Sequence, residues 1–165
     1  MGGLLSTALG LLGQSPVQVT YSFKALTGVL INPVLGAAIQ LSGGNIGNGN
    51  LTVEMATERT THQVGNDGTI MPSYKAGDNG TITIEMQQTS SLHHSLVALF
   101  NSLKTSADSG DVSNWASTTI SLRTTNDGSG HLCKGVSFQK IPPKPYAADG
   151  QNVTWVLMAA SITNQ

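Results

Sequence analysis

The chain has 165 residues, enough for one domain able to hide roughly 70% of the surface that its unfolded form exposes. Only 10% of the residues are charged, the formal net charge is −1, and 19 glycines accompany many Ser, Thr, Asn and Gln residues. This balance excludes a basic footprint for gripping nucleic acid, and the single cysteine, Cys133, excludes an internal disulfide framework.

Residues 1–18 read as an arm preceding a domain over 19–165. Leu4, Leu5, Ala8, Leu9, Leu11 and Leu12 make a short apolar stretch. It lacks the basic flank of a signal peptide and is too short to span a bilayer, so an arm packing on a neighbouring copy is expected. A first strand is predicted near 18–25. Residues 42–50, with Gly43, Gly44, Gly47 and Gly49, read as a flexible surface loop.

The next segments alternate with period two, the mark of a strand with one buried and one wet face. Leu51, Val53 and Met55 oppose Thr52, Glu54 and Ala56, while Ile82, Ile84 and Met86 oppose Thr81, Thr83 and Glu85. Between them, residues 58–75 form a hairpin end turning at Asn66-Asp67-Gly68, and Asp78-Asn79-Gly80 is a second turn signal. One segment breaks the alternation. Leu92, Leu96, Leu99, Phe100 and Leu103 recur at helical spacing, after the N-cap candidates Thr89, Ser90 and Ser91, and predict a helix of about 14–16 residues. Strands are expected near 117–124, 132–140 and 152–162, with turns at Asn126-Asp127-Gly128 and Asp149-Gly150. The last strand, with Val153, Trp155 and Leu157 beside Val156, is expected to be buried on both faces. Pro142, Pro143 and Pro145 place a loop or sheet edge before it. The fold class is therefore mainly β, a barrel or sandwich with one flanking helix.

No constellation for chemistry emerges. His93 and His94 are adjacent, whereas metal pairs on helices sit three or four apart, so both read as exposed or interfacial. Cys133 reads as a small apolar strand residue, and no third group orients His131 beside it for nucleophilic attack. Glu54 and Glu85 are the one candidate acid/base pair, but neither an aromatic platform nor cleft-forming loops accompany them. The expectation is a non-enzyme with no cofactor and no metal.

The run from Leu51 to Met71 and its continuation, Lys75-Ala-Gly-Asp-Asn-Gly-Thr-Ile-Thr-Ile, resemble the central signature of a family of contractile-phage tail tube proteins. Tyr21-Ser22-Phe23, Val136-Ser137-Phe138-Gln139-Lys140 and the stretch from Tyr146 to Trp155 fit the same family in order and spacing, over roughly residues 19–160. The extra apolar arm at the front departs from it. The resemblance implies hexameric rings, stacked into a hollow tube inside a contractile sheath, with strands of six subunits joining into one inner barrel. Its implied partners are the sheath protein, a baseplate initiator, a tail terminator, and a tape-measure protein and genomic DNA held in the lumen without specific binding. The implied location is the virion tail, assembled in the bacterial host cytoplasm.

On that reading the polar residues Thr52, Glu54, Thr81, Thr83 and Glu85 line a neutral-to-negative lumen from which phosphate is repelled. Residues 60–74, including Thr60, His62, Asn66, Asp67, Gly68, Met71 and Tyr74, reach onto the adjacent ring. The tube of a phage-tail-like bacteriocin or of a secretion system shares this logic. A carbohydrate-binding β-sandwich on a virion surface is the more distant rival, short of exposed aromatics.

Overall fold

A computed structural model of the chain describes residues 20–35, 37–42 and 49–165. The arm over 1–18, the first residues of the strand expected at 18–25 and most of the 42–50 loop lie outside the described residues. Nine strands form among the described residues: β1 (Leu26–Ile31), β2 (Ile39–Gln40), β3 (Asn50–Met55), β4 (Thr60–Val64), β5 (Ile70–Tyr74), β6 (Gly80–Gln87), β7 (Thr118–Thr124), β8 (Gly130–Phe138) and β9 (Asn152–Asn164). One helix, α1 (Ser91–Asp108), separates β6 from β7. Seven strands make one antiparallel sheet in the order β2-β1-β7-β8-β9-β6-β3, while β4 and β5 pair only with each other. The mainly β class is thus the observed one, with a single α-helix among the described residues and the sheet curling into a half-barrel.

The inner face of the sheet and the apolar stripe of α1 make one core. Leu92, Leu96, Leu99 and Leu103 are buried and Phe100 is half-buried. They meet Ile82, Ile84 and Met86 of β6, Val136 and Phe138 of β8, and Val153, Trp155 and Leu157 of β9. Ring edges supply much of the packing: Phe100 to Phe138 at 5.6 Å and Phe138 to Trp155 at 5.4 Å between centroids, both edge-on. Ser90 caps the helix by accepting from the His93 amide at 3.2 Å. The helix outlasts its last core residue, Leu103, by five positions. There the Lys104–Asp108 pair at 2.7 Å supports an extra turn before Gly110 closes it at φ 103°.

Three sequence expectations are corrected. The strand expected over 18–25 does not form in its described part: residues 23–25 are a short 3-10 turn capped by Ser22, and the strand starts at Leu26. Gly28 had masked that strand; it is buried because any side chain would meet Leu122 Cδ2 at 2.9 Å and Leu41 Cβ at 3.0 Å. The last strand is one-faced, with Val153, Trp155, Leu157 and Ala159 buried but Thr154, Met158 and Ala160 exposed. Gly80 is no turn residue. It opens β6, paired to Met55 on one side and Ala159 on the other.

The need for glycine at position 80 is steric, since a Cβ there would lie 2.2 Å from the Glu54 carbonyl oxygen and 2.6 Å from Ile162 Cδ1. A carbonyl fixed in a ladder cannot give way. Gly80→Ala is expected to cost about 2–3 kcal/mol, read as a lowered urea midpoint at unchanged slope.

Candidate functional site

Two surfaces collect the residues singled out in the sequence. The first is the outer face of the sheet, turned away from α1. Register places Glu54 opposite Thr81, Thr52 opposite Thr83, and Asn50 opposite Glu85. Thr52 and Glu54 are exposed, while Thr81, Thr83 and Glu85 are half-buried because β6 is flanked by strands on both sides. Glu85 accepts from Asn152 Nδ2 at 2.9 Å.

The same face continues across β9, β8 and β7 through Thr154, Met158, Ser137, Ser121 and two exposed cations, Lys134 and Arg123. Sequence reasoning missed these cations. Arg123 alternates outward from the buried Leu122, but Lys134 sits at a bulge where Gly135 takes φ 63° and two residues of β8 oppose one of β7. The outer face therefore carries acids on its β3–β6 side and bases on its β7–β8 side, where a uniformly neutral-to-negative face was expected.

Glu54 and Glu85 do not form an acid/base pair. Thr81, the partner of Glu54, lies four residues from Glu85 along β6, so the carboxylates stand about 14 Å apart at the usual strand rise. Glycosidic carboxylates work at roughly 5–9.5 Å.

The second surface is a projecting arm. β4 and β5 prolong the β3–β6 hairpin beyond the sheet, by about 30 Å at the usual strand rise. At its root the Ala56 amide donates to the Asn79 carbonyl at 3.0 Å, Thr57 Oγ1 donates to Asn79 Oδ1 at 3.0 Å, and Arg59 pairs with Asp78. At its tip Gly68 takes φ 87° and Asp67 Oδ1 accepts from the Thr69 amide at 3.0 Å; the Thr69 side chain first, and then this amide, hold that carboxyl below its usual pKa. Thr60, His62 and Val64 share one face of the arm with Ile70, Pro72 and Tyr74, while Met71 lies on the other face beside Gln63. Val64, Ile70, Met71 and Tyr74 are all more than half exposed, at 66, 54, 55 and 76%.

Cys133 is fully buried between Ile120 and Ile162, and burial pushes its thiol up to about 11, so it stays protonated at neutral pH. Among the described residues no group of three or more His, Cys, Asp or Glu side chains is placed to hold a metal.

His93, expected to be exposed or interfacial, is instead buried at 3% and accepts at Nδ1 from the Trp155 indole N–H at 3.0 Å. Position 93 borders the apolar stripe, and a partner 62 residues away leaves no local signal. Burial first, then the charges of Lys144 and His94, lowers its pKa below the ordinary 6.5. The unfolded chain then binds the proton more readily than the folded one. Stability from this group is full above pH 6.5 and is lost as pH falls through 6.5 toward the lowered folded value. The thermal midpoint should fall over that interval in the parent and stay flatter in His93→Gln. Asp127, held at about 2 by the Thr124 hydroxyl and then by Ser129, titrates well below this window.

Comparison with known proteins gives this arrangement a family. The family model for the bacteriophage PhiTE tail tube protein matches residues 18–165. No curated protein gives a significant match. Among solved structures, the chain is similar to one in the sheath–tube complex of the PVC extracellular contractile injection system in its extended state, with TM-score 0.52, 12% identity and 97% of each chain covered. It is also similar to the sheath/tube terminator of the PVC system, with TM-score 0.54, 11% identity and 90% of this chain and 99% of that one covered. A chain of the anti-feeding prophage baseplate, 6-fold symmetrised, gives TM-score 0.56 and 8% identity over 90% of this chain and 97% of that one. At these identities the likeness is one of fold. The family match over 18–165 decides the assignment: this chain belongs to the bacteriophage PhiTE tail tube protein family and is a tail tube subunit.

Proposed function

We propose that the subunit closes into six-membered rings that stack into the tube of a contractile tail, through whose lumen the genome passes into the host. The family match carries this reading, and the sheet's architecture supplies its physics. Among the described residues β3 ends the sheet with an unpaired edge, and at the other end β2 covers β1 through only two residues. Open edges of this kind are satisfied when neighbouring copies add strands to them, and a closed ring leaves none exposed. The six-fold symmetry used for the similar baseplate chain supports the same count.

In that ring the outer face turns inward. Thr52, Glu54, Thr81, Thr83 and Glu85 line the lumen with Arg123 and Lys134, making a mixed, low-charge wall on which DNA and a tape-measure protein slide without specific binding. The arm over 60–74 lays its apolar face on the next ring. Sheath protein, baseplate initiator and terminator are the remaining partners. The subunit works as a structural part of the virion tail, without catalysis, and assembles in the host cytoplasm.

Negative-stain electron microscopy of the purified protein at rising concentration tests the proposal. Rings or stacked hollow tubes are expected. Particles that stay monomeric, even with a baseplate initiator added, overturn it. A second reading, the tube of a phage-tail-like particle that carries no genome, is favoured by the injection-system structures that share the fold. Neighbouring capsid and terminase genes would decide for the phage.

A further inference from the structure

The exposed apolar side chains of the subunit gather at two opposite ends. Among the described residues, all the large ones except Tyr21, Val112 and Met158 do so. Val64, Ile70, Met71 and Tyr74 lie on the arm, which leaves the sheet where β3 ends and β6 begins. Ile31, Val34, Ile141 and Tyr146 lie at the other end of the strands. Register places them there: Ile31 faces Thr119 near the start of β7, Thr118 faces Val136, and β6 and β8 both run toward the start of β9. The eight residues of β6 put about 26 Å between the two ends.

The far end is built to hold these side chains outward. Asn32 is buried, donates from Nδ2 to Thr118 Oγ1 at 2.7 Å and accepts at Oδ1 from the Val34 amide at 2.9 Å, which fixes the turn that carries Ile31 and Val34. The link from β8 to β9 crosses the same end as a strap over 139–151. Pro142 is buried and anchors it, while Pro143 and Pro145 restrict the backbone between Ile141 and Tyr146. Lys144 Nζ lies 5.7 Å from the centre of the Tyr146 ring, and that ring is 89% exposed. An aromatic on a stiffened backbone loses little freedom on docking, which suits it as an interface anchor.

Charge differs between the ends as well. Asp67 is the one formally charged residue of 60–74, at the arm's tip. Strap residues 139–146 carry Lys140 and Lys144, both exposed, and no acid; Asp149 follows beyond them. The arm projects about 30 Å away from the strap of its own subunit, so the two can meet only between copies. Unlike surfaces at opposite ends make a heterologous contact, which repeats along one direction.

We propose that this far end is the receiving surface for the arm of a second copy in the adjacent ring. Val64, Ile70 and Tyr74 of one copy pack on Ile31, Val34 and Tyr146 of the other, with Asp67 beside Lys140 and Lys144. The inference rests on the stacked-ring reading and adds to it the patch that each arm meets. It also gives a stack polarity, with bare arms at one end and bare straps at the other.

Variants at exposed positions of the full chain test it. Ile31→Ser/Tyr146→Ser should keep the parent's thermal midpoint and still form rings, while the critical concentration for stacking rises at least tenfold, read by sedimentation and negative-stain electron microscopy. Mixed at the parent's stacking concentration with rings of Val64→Ser/Ile70→Ser, it should give two-ring stacks and nothing longer, because each variant supplies the half that the other lacks. Asp67→Asn, which keeps the acceptor for the Thr69 amide, and Lys140→Gln/Lys144→Gln should each raise the critical concentration roughly threefold, and together no more than the larger single effect. Normal tubes from Ile31→Ser/Tyr146→Ser, loss of its rings, mixtures that stay as single rings, or charge effects that multiply independently would each overturn the proposal. A parent protein that never forms rings would overturn the stacked-ring reading itself, and this inference with it.

Discussion

Replacing residues 62–72 by an Asn-Gly turn is expected to leave a folded subunit that no longer polymerises. The arm is separable because the core contains none of it: β5 is exposed throughout and β4 nearly so, and the buried cluster includes no residue of 60–74. The replacement keeps the Arg59–Asp78 and Thr57–Asn79 contacts at the root and supplies a two-residue loop of a type that hairpins favour. Stability should therefore shift within about 0.5 kcal/mol, as for surface changes generally. Association should collapse, because Val64, Ile70 and Tyr74 lie on one face of the arm and each is more than half exposed. Sedimentation and electron microscopy together read the result. Normal tubes from the shortened chain sink the inter-ring role. Val64→Ser/Ile70→Ser, which keeps the arm's length, should raise the critical concentration for polymerisation at least tenfold if apolar contact rather than reach is what matters.

How far these features could be read in advance depends on the range of each signal. The helix was legible because four leucines and Phe100 repeat at one period, a property internal to the segment. The faces of β3 and β6 were legible for the same reason, as was the arm's turn, where Gly68 takes the positive φ that an Asn-Asp-Gly run suggests. Features set by contacts between distant segments were not. Gly28 and Gly80 look like strand breakers in the sequence, yet both sit inside strands where another chain segment passes too close for a side chain. Asp78-Asn79-Gly80 has hairpin composition, but the hairpin continues through it into the arm. The Gly135 bulge shifts the alternation of β8, so the outward position of Lys134 cannot be counted back from the buried Val136 two residues on. The mixed charge of the outer face follows from strand order, which period-two patterning does not encode.

Trp155→Ala should be among the most damaging single core substitutions, costing about 3–5 kcal/mol. Trp155 is fully buried, touches Phe138 edge-on and lies in the middle of β9 between β6 and β8. A domain of this kind has roughly 5–15 kcal/mol in hand. Near this chain length each kcal/mol moves the midpoint by roughly 2–4 °C, so the variant should melt about 6–20 °C below the parent. Trp155→Phe separates packing from the polar contact. It keeps an aromatic ring but removes the N–H that His93 Nδ1 accepts, leaving a buried acceptor unpaired at a cost of about 1–3 kcal/mol. Because the indole and the imidazole share this contact, Trp155→Phe and His93→Leu should be non-additive. A Leu at 93 has no acceptor to orphan, so the second substitution should recover part of the loss from the first, with a coupling of about 0.5–3 kcal/mol. Strict additivity would mean that the indole and imidazole do not act together. Thr154→Ala, one residue away on the outer face, is the control and should change stability by no more than about 0.5 kcal/mol.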